Sequence, residues 1–255
     1  MSFKIIVPRS KNDTESFNKF VLPSLKRFNL VPDEIIDDDP NISESIFKKY
    51  NLAIQTLKDS ELKDEDIVVF MHSDTGILDD NFTLKLEHLF KTKPEIGLVG
   101  VAGTTELFEG GWWMNKDQSK LRGHLLQGKE EEGQAYYLQK GPVGYFDNIV
   151  AVDGCIMATT MKVLRDSGIM FDNDIFKDDN DFYDLDICLQ LLEKGYKIAI
   201  ADFFVFHKSV GKGCLKQSWY NAKDKFVSKW KNKGITFPVT EYTFNKNNNI
   251  VKVDV

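Results

Sequence analysis

No apolar run in the sequence approaches the roughly 20 residues that a bilayer-spanning helix needs. The longer ones, such as IGLVGVAGTT at residues 96–105, stop well short of it. The opening MSFKIIVPRS has no signal-peptide core, so export is not expected and the chain reads as cytoplasmic. Cysteine is scarce: Cys155, Cys188 and Cys214 are odd in number and none is spaced CxxC, which excludes a disulfide framework or a structural zinc site and fits a reducing compartment. Glycine is absent from VPRSKNDTES, the stretch after the first apolar run, so a glycine-rich phosphate loop is missing where a nucleotidyltransferase would carry one. DDNDFYDLDICL lacks the sixth-position glycine and the terminal glutamate of an EF-hand. No internal repeat or low-complexity linker appears.

What is present suits one large globular domain, or a domain with a tail: 255 residues, 42% apolar and 28% charged. The formal charge of −6 is unevenly spread. Residues 172–186 hold seven aspartates against one lysine, and residues 208–233 hold eight lysines against Asp224 alone. A solvated loop beside a solvated helix accounts for both runs, and no nucleic-acid partner is expected.

Strands and helices alternate. FKIIV (3–7) is a strand stopped by Pro8, TESFNKFVLPSLKRF has helical spacing, and DEIID (33–37) is a second strand, together a βαβ unit. A helix begins at Ser43, with Ile46, Tyr50, Ala53, Ile54 and Leu57 on one stripe. DIVVFM, a helix near 80–92 and IGLVGV (96–101) make a second unit, whose strands lack alternation as in a sheet covered on both faces. Residues 105–147 lose the period and read as loops and short hairpin strands. Regularity returns with NIVAVDGCIMATT, helices near 160–167 and 181–194, and the strands KIAIA and FFVFH. A lysine-rich helix near 215–232 and a hairpin in EYTFNKNNNIVKV follow.

In an open α/β sheet, ligands sit beyond the carboxyl ends of the strands, and here those ends carry Pro8 and Arg9, Asp37 and Asp38, His72 and Asp74, and His207. A single aspartate after a strand is commonly a turn or cap residue; the recurrence at several ends is what marks a site. Asp74 offers a hard carboxylate and His207 an imidazole, a mix suited to Mn²⁺ or Mg²⁺ when phosphate oxygens complete the shell. Taken alone, His207 at the end of an aromatic strand serves equally as a packed core-edge histidine.

The order VVFMHSD, IGLVGVAG, GGWW, VDGCIMATT and FYDLDICLQLLEKGYKIAI, closing in FHKS, resembles the family 2-like glycosyltransferases with the GT-A fold. More narrowly, it resembles the subfamily in which the usual DxD is written His, a polar residue, Asp. The resemblance covers residues 1–210, divided into a nucleotide-binding half (1–104) and an acceptor and catalytic half (105–210), and leaves 211–255 as an extension. It implies an α/β domain with a mostly parallel mixed sheet flanked by helices. It also implies Asp74 as the residue holding the cation on the donor diphosphate, and His72 at the position that approaches the ribose or the metal's water shell. A neutral imidazole cannot supply an aspartate's charge, so His72 either hydrogen-bonds towards the nucleotide or weakens the metal site. Val7, Pro8, Arg9, Asp37 and Asp38 match the family's nucleotide pocket. Asn51 falls where relatives contact the nucleoside, and a polar place on an amphipathic helix explains it equally.

The same resemblance places the catalytic base of an inverting transfer at Asp184, with Asp181 and Asp186 as fallbacks. A stripe of Phe182, Leu185, Leu189 and Leu192 leaves Asp184 on another face of its helix, where the helix dipole is expected to keep it ionised. Trp112 and Trp113, beside Gly110 and Gly111, either stack on a sugar or anchor the loop. Asp153 and Gly154 resemble the segment lining donor sugar or acceptor. Lys208 and Lys212 are placed to meet the diphosphate. The lysine helix, with Trp219, Tyr220, Phe226 and Trp230 interleaved, either packs on the core or touches an anionic acceptor or a membrane carrying one. The function implied is transfer of a sugar from a UDP-, GDP- or dTDP-sugar to a hydroxyl of a saccharide or lipid-linked acceptor, with Mn²⁺ or Mg²⁺. A nucleotidyltransferase and a non-catalytic nucleotide-sugar or glycan-binding module are the alternatives.

Overall fold

The computed structural model describes residues 1–36, 45–128, 134–137, 145–177, 179–209, 216–240 and 243–244. Asp37, Asp38, Lys212 and most of the hairpin expected at 241–253 lie outside the described residues.

The first apolar run forms β1 (Phe3–Arg9), two residues longer than Pro8 suggested. Pairing with the strand on one side ends at Ile6, so Pro8 has a strand neighbour only on the other side. The following helical segment is irregular. A 3₁₀ turn (Lys11–Asp13) leads into α1 (Thr14–Ser16), a π turn (Phe17–Val21) and α2 (Leu22–Lys26), and Pro23 sits in the first turn of α2, where a missing N–H is tolerated. β2 (Pro32–Ile36) then pairs parallel with β1, giving the expected βαβ unit. Helix α3 (Ile46–Lys58) starts three residues later than the sequence suggested, because Ser45 supplies the cap by accepting from the Lys48 N–H. Phe47 rather than Ile46 heads its buried stripe.

β3 (Ile67–Met71) is buried along its whole length and is followed by β4 (Thr75–Ile77), α4 (Phe82–Thr92) and β5 (Ile96–Gly100). Residues 102–152 add β6 (Ala102–Thr104), β7 (Glu106–Leu107), β8 (Leu121–Gln127), β9 (Gln134–Tyr137), β10 (Tyr145–Ile149) and β11 (Ala151–Val152). Then come β12 (Ile156–Thr160), α5 (Met161–Ser167), α6 (Asn173–Phe176), α7 (Tyr183–Glu193), β13 (Lys197–Ala201), β14 (Val205–His207), α8 (Gln217–Asn232) and β15 (Val239–Thr240).

The main sheet has the order β10-β13-β5-β12-β3-β1-β2. β10 and β12 run against the other five strands, which is the mostly parallel mixed sheet expected. β3 and β5 are not neighbours, however: β12 lies antiparallel between them, a return no local period announces. A second sheet has the order β11-β6-β8-β14-β4, and β9 pairs antiparallel with β8; these last two strands, β8 and β9, come from the stretch read as loops and short hairpin strands. Its seven-residue β8 hid because Gly123 and His124 interrupt the apolar pattern of LRGHLLQ.

The lysine-rich α8 packs by Trp219, Ala222, Phe226 and Trp230 against the core. It is pinned to α7 by Asp186, which is fully buried and accepts from Lys229 Nζ (2.8 Å), Trp230 Nε1 (2.9 Å) and Gln190 Nε2 (2.8 Å), while Lys229 also reaches Asp172 (2.7 Å). Removing one partner of a buried ionic cluster strands the others without water. Asp186→Ala is expected to destabilise the protein by about 3–5 kcal/mol, read as a lower urea midpoint with unchanged m-value.

Candidate active site

The pairing of the two sheets assembles the site. β3 ends at Met71, and the turn His72-Ser73-Asp74 carries the chain from the main sheet to β4 of the second. There β14 runs antiparallel to β4 with His207 opposite Thr75, and the Lys208 N–H donates to the Asp74 carbonyl (3.0 Å), so His207 arrives beside Asp74. On the other side of β3, β12 places Ile156 opposite Met71, and the His72 N–H donates to the Cys155 carbonyl (3.0 Å). That brings Asp153 and Gly154 to the same rim.

Three donor atoms converge. His207 Nε2 lies 3.4 Å from Asp74 Oδ1 and 3.4 Å from His72 Nδ1, and His72 Nδ1 lies 4.0 Å from Asp74 Oδ1. Donors in adjacent positions around a small divalent cation, with bonds of about 2.0–2.2 Å, stand about 3 Å apart, so the triangle needs only a slight contraction to hold one. Protonation suits the same end. Burial, then the neighbouring His207, pushes His72 down and keeps its ring neutral with a lone pair available. Burial would raise Asp74 and lower His207, but their mutual hydrogen bond and attraction outweigh it: Asp74 is held low and His207 high. The His72 position expected near the ribose or the water shell thus has its Nδ1 beside Asp74 and His207. Asp153 and Cys155 form an overlapping donor group with His207. Burial, with Asp153 alongside, pushes the Cys155 thiol well up, which keeps it a thiol and leaves the harder carboxylate and imidazole set to a cation such as Mn²⁺ or Mg²⁺.

Asp184 stands in the first turn of α7. Its Oδ2 accepts from the Gly154 N–H (3.0 Å) and its Oδ1 from the Leu185 N–H (2.9 Å). The expected ionising effect of the helix N-terminus does not prevail. Enclosure of the carboxylate, then the charge of Asp153, pushes Asp184 up to about 7, which suits a group that must take up a proton near neutrality. The stripe proposed for its helix is also too narrow: Tyr183, Asp186, Ile187, Cys188 and Leu191 are buried as well, while Leu192 is only half-buried.

Tyr183 is the residue that sequence reasoning passed over. Its hydroxyl is hydrogen-bonded to His72 Nε2, linking the His-x-Asp turn to the helix of Asp184. Gly154 explains how: a Cβ there would lie 2.1 Å from the Tyr183 hydroxyl. An aromatic residue directly before the aspartate was the only signal.

The two tryptophans part company. Trp112 is buried, and its Nε1 donates to Asp153 Oδ2 (3.2 Å), so it anchors the loop; the other oxygen of Asp153 accepts from the Cys155 N–H (2.8 Å). Trp113 is 42% exposed, edge-on to Trp112, with its centroid 6.5 Å from that of Trp219 on α8. Gly111, at φ +124°, lets the loop turn back so that its backbone lies against the Trp113 ring.

Several other candidates have partners of their own. Arg9 Nε is paired with Glu34 (2.5 Å), and Arg9 Nη1 donates to Thr14 Oγ1 (3.0 Å). Asn51 spends both ends of its amide on the main chain of Phe171 (2.7 and 2.8 Å), bracing α3 rather than presenting a nucleoside contact. Asp186 has no exposed surface and three donors, which fits the latch to α8 and not a base. Burial and Asp179 raise Asp181 at the approach to α7. Lys208 Nζ donates to Ser16 Oγ (3.2 Å). On and just after α8, Lys225 is paired with Asp179, Lys229 with Asp172 and Asp186, Lys231 with Glu109 and Lys233 with Glu193. No helix among the described residues is long and apolar enough to cross a membrane.

Comparison with known proteins gives a match of residues 22–234 to the model of a family described as glycosyltransferase-like. No curated protein sequence matches. Among solved structures, similarity is found to GalNAc-T7 with UDP, GalNAc and Mn²⁺ (10% identity, TM-score 0.49, 83% of this chain and 44% of that one). It is also found to TarS 1–349 of S. aureus (15%, TM-score 0.45, 82% and 60%). A third is the mannosyltransferase PcManGT of Pyrobaculum calidifontis with GDP-Man and Mn²⁺ (13%, TM-score 0.42, 83% and 58%). The chain thus spans 44% to 60% of the length of these three.

Proposed function

The chain belongs to the glycosyltransferase-like family, and from that membership we propose that it transfers a sugar, with inversion, from a nucleoside-diphosphate sugar to a hydroxyl of a saccharide or lipid-linked acceptor. The observation that carries this reading is the meeting on one rim of a three-donor cation triangle and a carboxylate poised near neutrality, joined through Gly154 and Tyr183. His72, Asp74 and His207 would hold Mn²⁺ or Mg²⁺, which supplies positive charge against the departing diphosphate. Asp184 accepts the proton of the acceptor hydroxyl as that oxygen attacks the anomeric carbon opposite the leaving group. The Gly154 and Leu185 N–H groups hold the Asp184 carboxylate in place. Trp113 offers an exposed aromatic face for a pyranose, and Asp153 fixes that loop through Trp112. Pro8 and Arg9 at the end of β1, with Asp37, Asp38 and Lys212, belong to the donor side of the proposal. A UDP, GDP or dTDP group is the donor's handle.

Thermal unfolding with UDP, GDP and dTDP, with and without Mn²⁺, tests the reading together with a turnover screen of the corresponding sugars. At 100 times Kd a ligand adds about 2.7 kcal/mol to the stability of the folded state, so one nucleotide should raise the midpoint by several degrees only when the cation is present. Indifference to all three, with and without the cation, would remove the proposal. Binding without any turnover would leave a nucleotide-sugar-binding module in its place.

A further inference from the structure

Tyr183 takes no part in the chemistry above, yet it is buried and its hydroxyl reaches His72, one of the two imidazoles in the cation triangle. We propose that Tyr183 is a positioning residue for the cation site: it holds the His72 ring with Nδ1 facing Asp74 and His207, and ties that site to the helix turn carrying Asp184. This rests on the reading of His72, Asp74 and His207 as the cation site.

The geometry supports each link. An imidazole has two nitrogens, and the hydrogen bond made by one fixes the tautomer and ring orientation of the other. A cation on Nδ1 requires the tautomer in which Nε2–H donates to the Tyr183 oxygen, and the Nδ1 lone pair is then left towards His207 Nε2 (3.4 Å) and Asp74 Oδ1 (4.0 Å). The phenol is itself held: Phe47 (6.1 Å, edge-on), Tyr50 (5.8 Å) and Phe171 (6.1 Å) contact its ring. Gly154 has no side chain to displace the hydroxyl, and the same glycine's N–H donates to Asp184 Oδ2 (3.0 Å). His72, Tyr183, Gly154 and Asp184 thus form one chain of contacts. Without the hydroxyl, the His72 ring keeps no hydrogen-bond partner at Nε2 among the described residues, and either nitrogen, protonated or not, can face the cation.

The test is Mn²⁺ affinity, read from the electron spin resonance signal of free Mn²⁺, for wild type, Tyr183→Phe, His72→Ala, the double variant and Asp74→Ala. Phenylalanine keeps the packing, and near-ultraviolet circular dichroism checks that it does. Loss of an outer-shell partner of this kind weakens metal binding about 10- to 100-fold, and that loss is expected for Tyr183→Phe, with no further loss when it is added to His72→Ala. Nitrogen-15 spectra of the metal-free protein should show the Nε2–H tautomer of His72 in wild type and a mixture in Tyr183→Phe. Wild-type affinity in Tyr183→Phe, while Asp74→Ala abolishes binding, would overturn the inference alone. An equal loss in the His72→Ala background would also overturn it, by making the role general to the fold. Failure of wild type to bind Mn²⁺ any better than Asp74→Ala would remove the cation site and this inference with it.

Discussion

Asp184→Asn is expected to lower transfer by about 100- to 10,000-fold, the usual contribution of a general base, while nucleotide and Mn²⁺ binding stay near wild type. The amide keeps the size of the side chain and can still accept the Gly154 N–H bond, so the loss reports proton transfer rather than folding. The pH profile is a second signature. Because enclosure and Asp153 push Asp184 up to about 7, the protonated, inactive form dominates below that value, and kcat/KM should rise about tenfold per pH unit on the acid side and level off above it. Asp153→Asn removes the neighbouring charge, so the acid limb should move to lower pH. A flat profile between pH 5 and 8, or full activity in Asp184→Asn, would move the role to Asp181, since Asp186 is shut inside its latch.

Asp74→Ala carries the other large effect. Its carboxylate is the only formal negative charge among the three donors, and a divalent cation at such a site supplies several kcal/mol of transition-state charge stabilisation. At 1.36 kcal/mol per tenfold, loss of that charge corresponds to about three orders of magnitude in turnover. The midpoint shift given by nucleotide with Mn²⁺ should vanish with it. The cation-free protein carries a related pH dependence. Asp74 is held low, so its contribution is present above the ordinary carboxylate value and is lost as pH falls through its own lower one. His207 is held high, so its contribution is fully present below the ordinary imidazole value and is lost as pH rises through its own higher one. The pair therefore stabilises the protein between those limits. Mn²⁺ must displace the His207 proton and should bind more tightly as pH rises. An Asp74→Ala protein with unchanged cation-dependent nucleotide binding would contradict this account.

Much of the frame was legible before any coordinates. β1, β3, β5 and β13 announce themselves as unalternating apolar runs, because strands covered on both faces have no polar side to show. Asp74 and His207 stood out as metal-capable side chains ending strands, and Asp184 through its place in the motif. Other features were misread for physical reasons. The length of β8 could not be read among the loops and short hairpin strands expected there, because Gly123 and His124 break its pattern, although it lies between β6 and β14 in the second sheet. The dipole argument gave Asp184 the wrong sign of shift, because enclosure and a second carboxylate outweigh a helix terminus. Asn51 and Asp186 belong to chemically suitable types, yet the backbone of Phe171 and the side chains of α8 had already claimed them.

By itself, the sequence determined the alternating architecture and the residue types offered at each strand end, since burial periodicity and side-chain chemistry are local properties. Only the tertiary structure decided which offers are used together. The insertion of β12 beside β3 and the pairing of β14 with β4 join segments more than 80 residues apart, and a distance of 3.4 Å between His72 and His207 is written in no local pattern. The same holds for Tyr183: its hydroxyl acquires a role because Gly154, about 30 residues earlier in the chain, leaves room for it to meet His72.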